Sequence, residues 1–288
     1  MDTSDPYQLL DFGDGRRLER FAGMILDRPC PVAEGIERAD PAAWAAADAR
    51  FERGNGDAGQ WTCRRPLPPQ WTIAHGSVTL ELKCTQFGHL GIFPEQAGNW
   101  QWIAGRVRQA ALSAALPRVL NLFAYTGGAT LAAAAAGAEV VHVDAARNIV
   151  AWARRNAALS GLAHAPIHWI AEDAVKFVKR ELRRDNRYDA VILDPPSYGH
   201  GAHGELWRLA QHLPRLLDLC VELTTPRPCF MLLTCHTPGF EPDRLGRMLA
   251  AALADADCGT LDARPLTIRA ATGRELPSGA AVRWGTTM

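Results

Sequence analysis

The pattern of apolar and polar positions changes character near residue 95. Up to about residue 92, short runs alternate apolar and polar side chains, as in Ser77-Val-Thr-Leu-Glu-Leu-Lys83, with glycines and prolines between them. Alternation at period two reads as strands with one buried face. Residues 1–92 are therefore expected to form a small β-rich domain. Trp44, Trp61 and Trp71 belong in its core rather than on a base-stacking surface.

From about residue 97, helical spacing and short apolar runs take turns. Residues 99–115 carry helical spacing, with Trp102, Val107 and Leu112 as inward candidates, and Pro117 stops them. Segments 119–124, 139–143, 167–170, 190–193, 229–234, 266–269 and 280–283 read as strands. Between them, 126–136, 147–159, 173–184, 205–223 and 243–254 read as helices. Thr126 is placed to cap the first of these, and Gly161 to close the second. The alternation predicts an α/β domain over 93–288 with a doubly wound sheet and right-handed crossovers.

Composition narrows the setting. The chain has 288 residues, 48% of them hydrophobic and 22% charged, which suits a globular protein with a full core. It holds no apolar run of about eighteen residues, so no membrane span is expected. The start, Met-Asp-Thr-Ser-Asp-Pro, lacks the basic and apolar regions of a signal peptide. Seven cysteines without a C-x-x-C argue for reduced thiols in the cytoplasm, without disulfides and without a metal site. Net charge is zero, but residues 1–100 hold 10 Lys and Arg against 14 Asp and Glu, and the remainder 21 against 17. That mild asymmetry permits a polyanionic partner.

The chemistry concentrates at strand ends. The run Tyr188-Asp-Ala-Val-Ile-Leu-Asp-Pro-Pro-Ser-Tyr-Gly199 is a buried strand that ends on an acid, a rigid diproline and an aromatic. Ligands of open α/β sheets bind at such carboxyl ends. The loop suits a grip on a planar group, by hydrogen bonds to the Asp194 carboxylate and the Pro195 carbonyl and by a ring from Tyr198. Earlier, Tyr125-Thr-Gly-Gly128 follows the first strand, where glycines let a ligand approach the backbone. The G-x-G-x-x-G pattern that cradles a pyrophosphate is absent. Asp144 ends the second strand, where an acid accepts ribose hydroxyls. Glu172 and Asp173 follow the third, and Asp173 reads equally as a helix cap or as a ligand.

Four segments, Asn121-Leu-Phe-Ala-Tyr-Thr-Gly-Gly128, Val143-Asp-Ala145, Glu172-Asp-Ala174 and Asp194-Pro-Pro-Ser-Tyr-Gly199, resemble the successive motifs of class I S-adenosylmethionine-dependent methyltransferases. The resemblance is closest to the bacterial branch related to 23S rRNA methyltransferases. It extends to Gly91-Ile-Phe-Pro-Glu-Gln96 with Asn99-Trp100 and to Leu276-Pro-Ser-Gly-Ala280, and so spans about 91–288. It implies a Rossmann-like seven-stranded sheet and S-adenosyl-L-methionine as cofactor. The implied cofactor residues are Phe93, Gln96, Asn99, Asn121, Phe123, Tyr125, Thr126, Gly127, Gly128, Asp144, Ala145, Glu172, Asp173, Ala174 and Asp194. Asp173 would sit by the adenine and Asp194 by the methyl group.

A sulfonium methyl is already electrophilic, so such an enzyme must chiefly align a nucleophile behind it. A base in RNA is the expected acceptor, ribosomal RNA foremost. Cys235 resembles the cysteine with which cytosine-C5 enzymes attack C6, with His236 beside it to take a proton or activate the thiol. It is also read as a core cysteine, with Asp194 and a proline carbonyl orienting a nitrogen instead. Cytosine-C5 rRNA relatives usually carry an N-terminal PUA-type domain, whose pattern is not evident in the first ninety residues. Lys176, Lys179, Arg180, Arg183, Arg184 and Arg187 read as a solvated face or as a phosphate track. His203 and His212 read as surface residues, and His200 as a substrate contact. A methyltransferase acting on a small molecule or protein, and an RNA-binding protein that only retains the fold, stay open.

Overall fold

A computed structural model describes residues 6–54, 56, 58–112, 116–200, 206–224, 226, 228–254 and 259–286. The chain divides into two compact units, Met1–Glu95 with Thr267–Ser278 and Gln96–Leu266 with Gly279–Met288.

In the first unit, β1 (Tyr7–Gly13), β2 (Arg16–Phe21), β3 (Met24–Pro29), β4 (Ala49–Arg53) and β5 (Gly59–Cys63) form one sheet in chain order. Neighbours are antiparallel except β3 and β4. The hairpin of β6 (Trp71–His75) and β7 (Val78–Leu82) covers the alternating run near residue 80. Trp44 is buried and donates from Nε1 to Asp11 Oδ2 at 2.9 Å, whereas Trp61 and Trp71 are half-buried. Leu9 and Phe12 share a core cluster with Ile268 and Leu276. Arg274 Nη2 donates to Asp11 Oδ1 and to the carbonyl of Phe12, each at 2.6 Å. These contacts bind a segment from near the end of the chain to the first strand.

The second unit opens with α1 (Ala97–Ala111), which buries Asn99, Trp100, Ile103 and Val107 along one face. Leu112, expected inward, lies just past the helix end and is exposed. Residues 113–115 fall outside the described set. Then come β8 (Arg118–Leu122), α2 (Gly128–Ala135), β9 (Glu139–Asp144), α3 (Arg147–Leu159), β10 (Ile167–Ala171), α4 (Ala174–Arg183) and β11 (Ala190–Leu193). A short hairpin of β12 (Tyr198–His200) and β13 (Leu206–Arg208) leads into α5 (Leu209–Thr224). The chain continues through β14 (Phe230–Cys235), α6 (Pro242–Ala252), β15 (Gly259–Arg269) and β16 (Glu275–Thr286).

Seven strands form one sheet in the order β10-β9-β8-β11-β14-β16-β15, parallel through β14, with β16 antiparallel to it. In β11 every residue is buried, with Ala190 and Ile192 in one core cluster and Val191 and Leu193 in another. That is why its sequence is a continuous apolar run.

Three local expectations change. Thr126 does not cap α2, because Gly127 holds the N-cap in a left-handed conformation (φ 92°) and Thr126 is buried behind it. The helix expected over 205–223 begins at Leu209, because 206–208 pairs as β13; Glu205 is outside the described residues. The last two strands run to 11 and 12 residues, far longer than the four-residue segments legible as apolar runs.

Candidate active site

The chain winds outward from β8 to β9 and β10, then returns to lay β11 on the other side of β8. The crevice between the carboxyl ends of β8 and β11 is thus a topological switch point, where open α/β sheets bind ligands. Register places the strand tips level. Leu122 pairs with Val143 and with Leu193, and Leu193 pairs with Leu233. The next residues along, Phe123, Asp144, Asp194 and Thr234, therefore stand side by side at one edge of the sheet.

The turn after β8 is held in an uncommon conformation. Phe123 and Tyr125 both have positive φ, 56° and 49°, which costs a bulky residue about 1–3 kcal/mol. Asp144 fixes the turn: Oδ2 accepts from the backbone N of Tyr125 at 2.9 Å, and Oδ1 from that of Ala146 at 3.0 Å. Burial raises the pKa of this carboxyl, and those two donors pull it partly back. Each oxygen keeps a lone pair for a further donor. Thr126 is buried, and its carbonyl accepts from Asn156 Nδ2 at 2.8 Å.

The glycines serve separate needs. Gly127 adopts the left-handed conformation, and a side chain on it would meet Ala153 Cβ at 3.3 Å. A Cβ on Gly128 would lie 2.5 Å from Trp100 Cζ2, so the space its side chain would fill holds an indole. Asn121 is buried and points its amide to Thr130 Oγ1 at 2.8 Å, which in turn lies 2.9 Å from His142 Nδ1.

At the third strand, Asp173 caps α4, accepting from Lys176 N at 2.9 Å. Glu172 is ion-paired with Arg180, and its own backbone N donates to the carbonyl of Asp144 at 3.1 Å. Ala145 is half-buried beside Asp144, and Ala174 packs in the core under α4.

The loop after β11 is clamped twice. Trp207 Nε1 donates to the carbonyl of Pro196 at 2.7 Å, and Ser197 Oγ lies 2.7 Å from Thr237 Oγ1. Pro195 is buried, while Tyr198 is 54% exposed at the start of β12. A polar chain reaches Asp194 from α1. Arg283 donates from Nε and Nη2 to Asn99 Oδ1 at 3.0 and 2.7 Å. Asn99 Nδ2 donates to Gln96 Oε1 at 2.7 Å. Gln96 Nε2 then lies 3.4 Å from Asp194 Oδ2 and 3.3 Å from His236 Nε2. Asn99 and Gln96 are buried, and His236 Nε2 stands 3.6 Å from Asp194 Oδ1.

Cys235 ends β14 but is only 1% exposed. Its Sγ accepts from Thr237 N at 3.4 Å, and burial pushes the thiol pKa up. Burial thus works against ionising this thiol.

Phe93 belongs to the first unit, where its ring lies 5.6 Å from that of His89. Among the basic residues near α4, Arg180 pairs with Glu172, Arg184 with Glu181 at 3.9 Å and Arg187 with Asp185 at 2.6 Å. Lys176, Lys179 and Arg183 are exposed along the same helix. His212 is half-exposed, with its ring 5.5 Å from Trp207; His203 is outside the described residues, as is the His200 side chain. Among the described residues there is no group of three or more His, Cys, Asp or Glu that could hold a metal ion, and no helix long and apolar enough to cross a membrane.

Trp207 and Arg283 do not stand out in the sequence as site residues, because their roles depend on partners 11 and 184 residues away. Only the aromatic Trp207 beyond the diproline offered any signal.

Residues 35–255 match the S-adenosylmethionine-dependent methyltransferase family. The SAM-dependent methyltransferase from Agrobacterium tumefaciens superposes with a TM-score of 0.91 at 36% identity, over 99% of this chain and 92% of that one. Ribosomal RNA large subunit methyltransferase I of Aeromonas hydrophila is 30% identical over 66% of this chain and 46% of its own length. Ribosomal RNA large subunit methyltransferase K/L of Cellvibrio japonicus is 31% identical over 49% of this chain and 18% of its own. The chain thus spans less than half the length of either curated relative.

Proposed function

We propose that this chain, which belongs to the S-adenosylmethionine-dependent methyltransferase family, methylates a base in RNA, with ribosomal RNA as the substrate class. The observation that carries the reading is the Asp194–Tyr198 loop: an acid, a buried proline and an exposed aromatic ring, clamped by Trp207 and Thr237 at the switch point.

The donor set at the crevice fits the cofactor. The under-solvated Asp144 carboxylate has lone pairs left for ribose hydroxyls. The turn through Phe123, Tyr125 and Gly127 would follow the methionine part, with Asp173 and Glu172 near the adenine. When bound, the cofactor supplies an electrophilic methyl carbon on a positively charged sulfur. Asp194 is the residue assigned to the methyl end, where its carboxylate and the Pro195 carbonyl would orient a nucleophilic nitrogen. Tyr198 would stack on the base, worth about 1–3 kcal/mol per base. A base in a duplex must first be flipped out, so single-stranded or looped RNA is favoured.

Direct transfer is preferred to a thiolate route. Addition of sulfur to C6 of a cytosine needs an ionised, accessible thiol, whereas Cys235 is buried and its pKa is raised. RNA is favoured over a small molecule or protein by the names of the rRNA methyltransferases that resemble the chain, and by the basic face of α4 that carries Lys176, Lys179 and Arg183. The reading assigns the methyl transfer to the second unit, Gln96–Leu266 with Gly279–Met288; the expected boundary at 92/93 shifts to 95/96, and Thr267–Ser278 joins the β-rich unit because it packs on its first strand. It puts the protein with cytoplasmic RNA. Nucleoside mass spectrometry on RNA from cells with and without the gene tests it. One methylated base should disappear with the gene; an unchanged nucleoside profile would reject the reading.

A further inference from the structure

The chain from Arg283 to Asp194 has a direction, and its direction has a chemical consequence. A guanidinium holds only donors, so the Asn99 atom that faces Arg283 at 2.7 and 3.0 Å must be oxygen. The Asn99 nitrogen is then the atom turned to Gln96, and the Gln96 atom facing it at 2.7 Å must be oxygen. That leaves the Gln96 amide nitrogen toward Asp194 and His236. A carboxylate holds only acceptors, so the Asp194 end independently demands the same orientation. Both ends agree, and no amide in the relay can flip alone without setting two like atoms against each other.

His236 Nε2 sits 3.3 Å from that amide nitrogen. Two N–H groups cannot face each other at that distance, and the Asp194 oxygen nearest Nε2 is farther away, at 3.6 Å, beyond hydrogen-bond reach. The closer amide therefore sets Nε2 as the side with the lone pair. We propose that Arg283 is a positioning residue which, through Asn99 and Gln96, fixes His236 as the tautomer protonated on Nδ1, with the Nε2 lone pair held beside Asp194. Gly279 makes room for this ring: with φ 118°, a Cβ there would fall 3.0 Å from His236 Nδ1 and 2.5 Å from the Cys235 carbonyl. Given the function proposed above, the relay keeps a hydrogen-bond acceptor next to the residue assigned to the methyl end.

Asn99→Asp reverses the logic while keeping shape and the contact with Arg283. The introduced carboxylate has no donor, so an unflipped Gln96 would put oxygen against oxygen at the 2.7 Å contact. Flipping Gln96 puts its oxygen against Asp194 at the looser 3.4 Å and lets His236 donate from Nε2. The shorter clash dominates, so Gln96 turns and His236 changes tautomer.

The test is a long-range ¹H–¹⁵N correlation spectrum of the full chain, labelled on its histidines, at a pH of about 8 where imidazole is ordinarily neutral. Loss of a peak set in His236→Gln assigns the resonance. The wild-type protein should show a proton-bearing Nδ1 and a bare Nε2, and Asn99→Asp should exchange the two. A wild-type His236 protonated on Nε2 would overturn the proposal, even if Asn99→Asp failed to fold. So would a folded Asn99→Asp protein with the wild-type tautomer. The readout needs neither cofactor nor RNA, so its failure is distinct from failure of the methyltransfer reading.

Discussion

Trp207 donates from its indole Nε1 to the carbonyl of Pro196 at 2.7 Å, while its ring lies 5.2 Å from that of Phe123. One buried side chain thus ties the loop after β11 to the turn after β8, the two walls of the switch-point crevice. Trp207→Phe keeps an apolar ring and removes the donor. We expect a stability loss of about 1 kcal/mol and a methyl-transfer step roughly tenfold slower, because a loosened loop aligns the acceptor less well. Cofactor affinity should stay within about twofold. Single-turnover kinetics beside calorimetry separate the two effects, and equal losses in both would contradict a role confined to the loop.

Asp144 fixes the turn after β8, and in the proposed function it also takes the ribose hydroxyls. Asp144→Asn cannot accept at both positions, so it loses either the Tyr125 or the Ala146 contact as well as its charge. Cofactor affinity should fall by about 1–3 kcal/mol, as losing a buried hydrogen-bond partner does. Isothermal titration with S-adenosylhomocysteine measures it, and unchanged affinity would remove Asp144 from the cofactor site.

Cys235 is expected to behave as a core residue. Cys235→Ala should cost about 1–2 kcal/mol of stability through a small cavity and leave single-turnover methyl transfer within about threefold. In the native protein, iodoacetamide should label the exposed Cys63 well before Cys235. Abolished turnover in a folded Cys235→Ala protein would reinstate the thiolate route.

His142 makes stability depend on pH. It is fully buried, and burial lowers its pKa from 6.5 to about 3. The native imidazole stays neutral while the unfolded one charges, so the unfolded state binds the extra proton between these values. Its contribution is complete above about pH 6.5 and is lost as pH falls toward about 3, at up to about 1.4 kcal/mol per unit. Urea unfolding of wild type and His142→Asn between about pH 4 and 7 should show that much less slope in the variant. Parallel slopes would mean that the native side chain titrates normally.

Much of this fold is written locally. The apolar runs of β9 and β11, the Asp173 cap and the boundaries of α3 follow from propensity and spacing, and the structure keeps them within about a residue. The features that were illegible depend on partners far along the chain. Gly128 looked like room for a ligand, but the atom beside it is Trp100, on a helix that the sequence places before the sheet. Thr126 has the chemistry of a cap, yet the left-handed turn hands that position to Gly127. Leu206-Trp207-Arg208 has helical spacing with residues 209–223, and only pairing with Tyr198-Gly199-His200 makes it a strand. Asn99 was legible as a site residue, but the Arg283 that orients it lies 184 positions away.

In the proposed function the Asp194–Tyr198 loop presents an RNA base to the cofactor. Purified protein incubated with methyl-labelled S-adenosylmethionine and protein-free ribosomal RNA, followed by nuclease digestion and nucleoside chromatography, tests it most directly. Label should appear in one modified base and be lost with Asp194→Asn, while cofactor affinity changes by less than about threefold. Label confined to protein or small molecules, or undiminished transfer to RNA by Asp194→Asn, would contradict it.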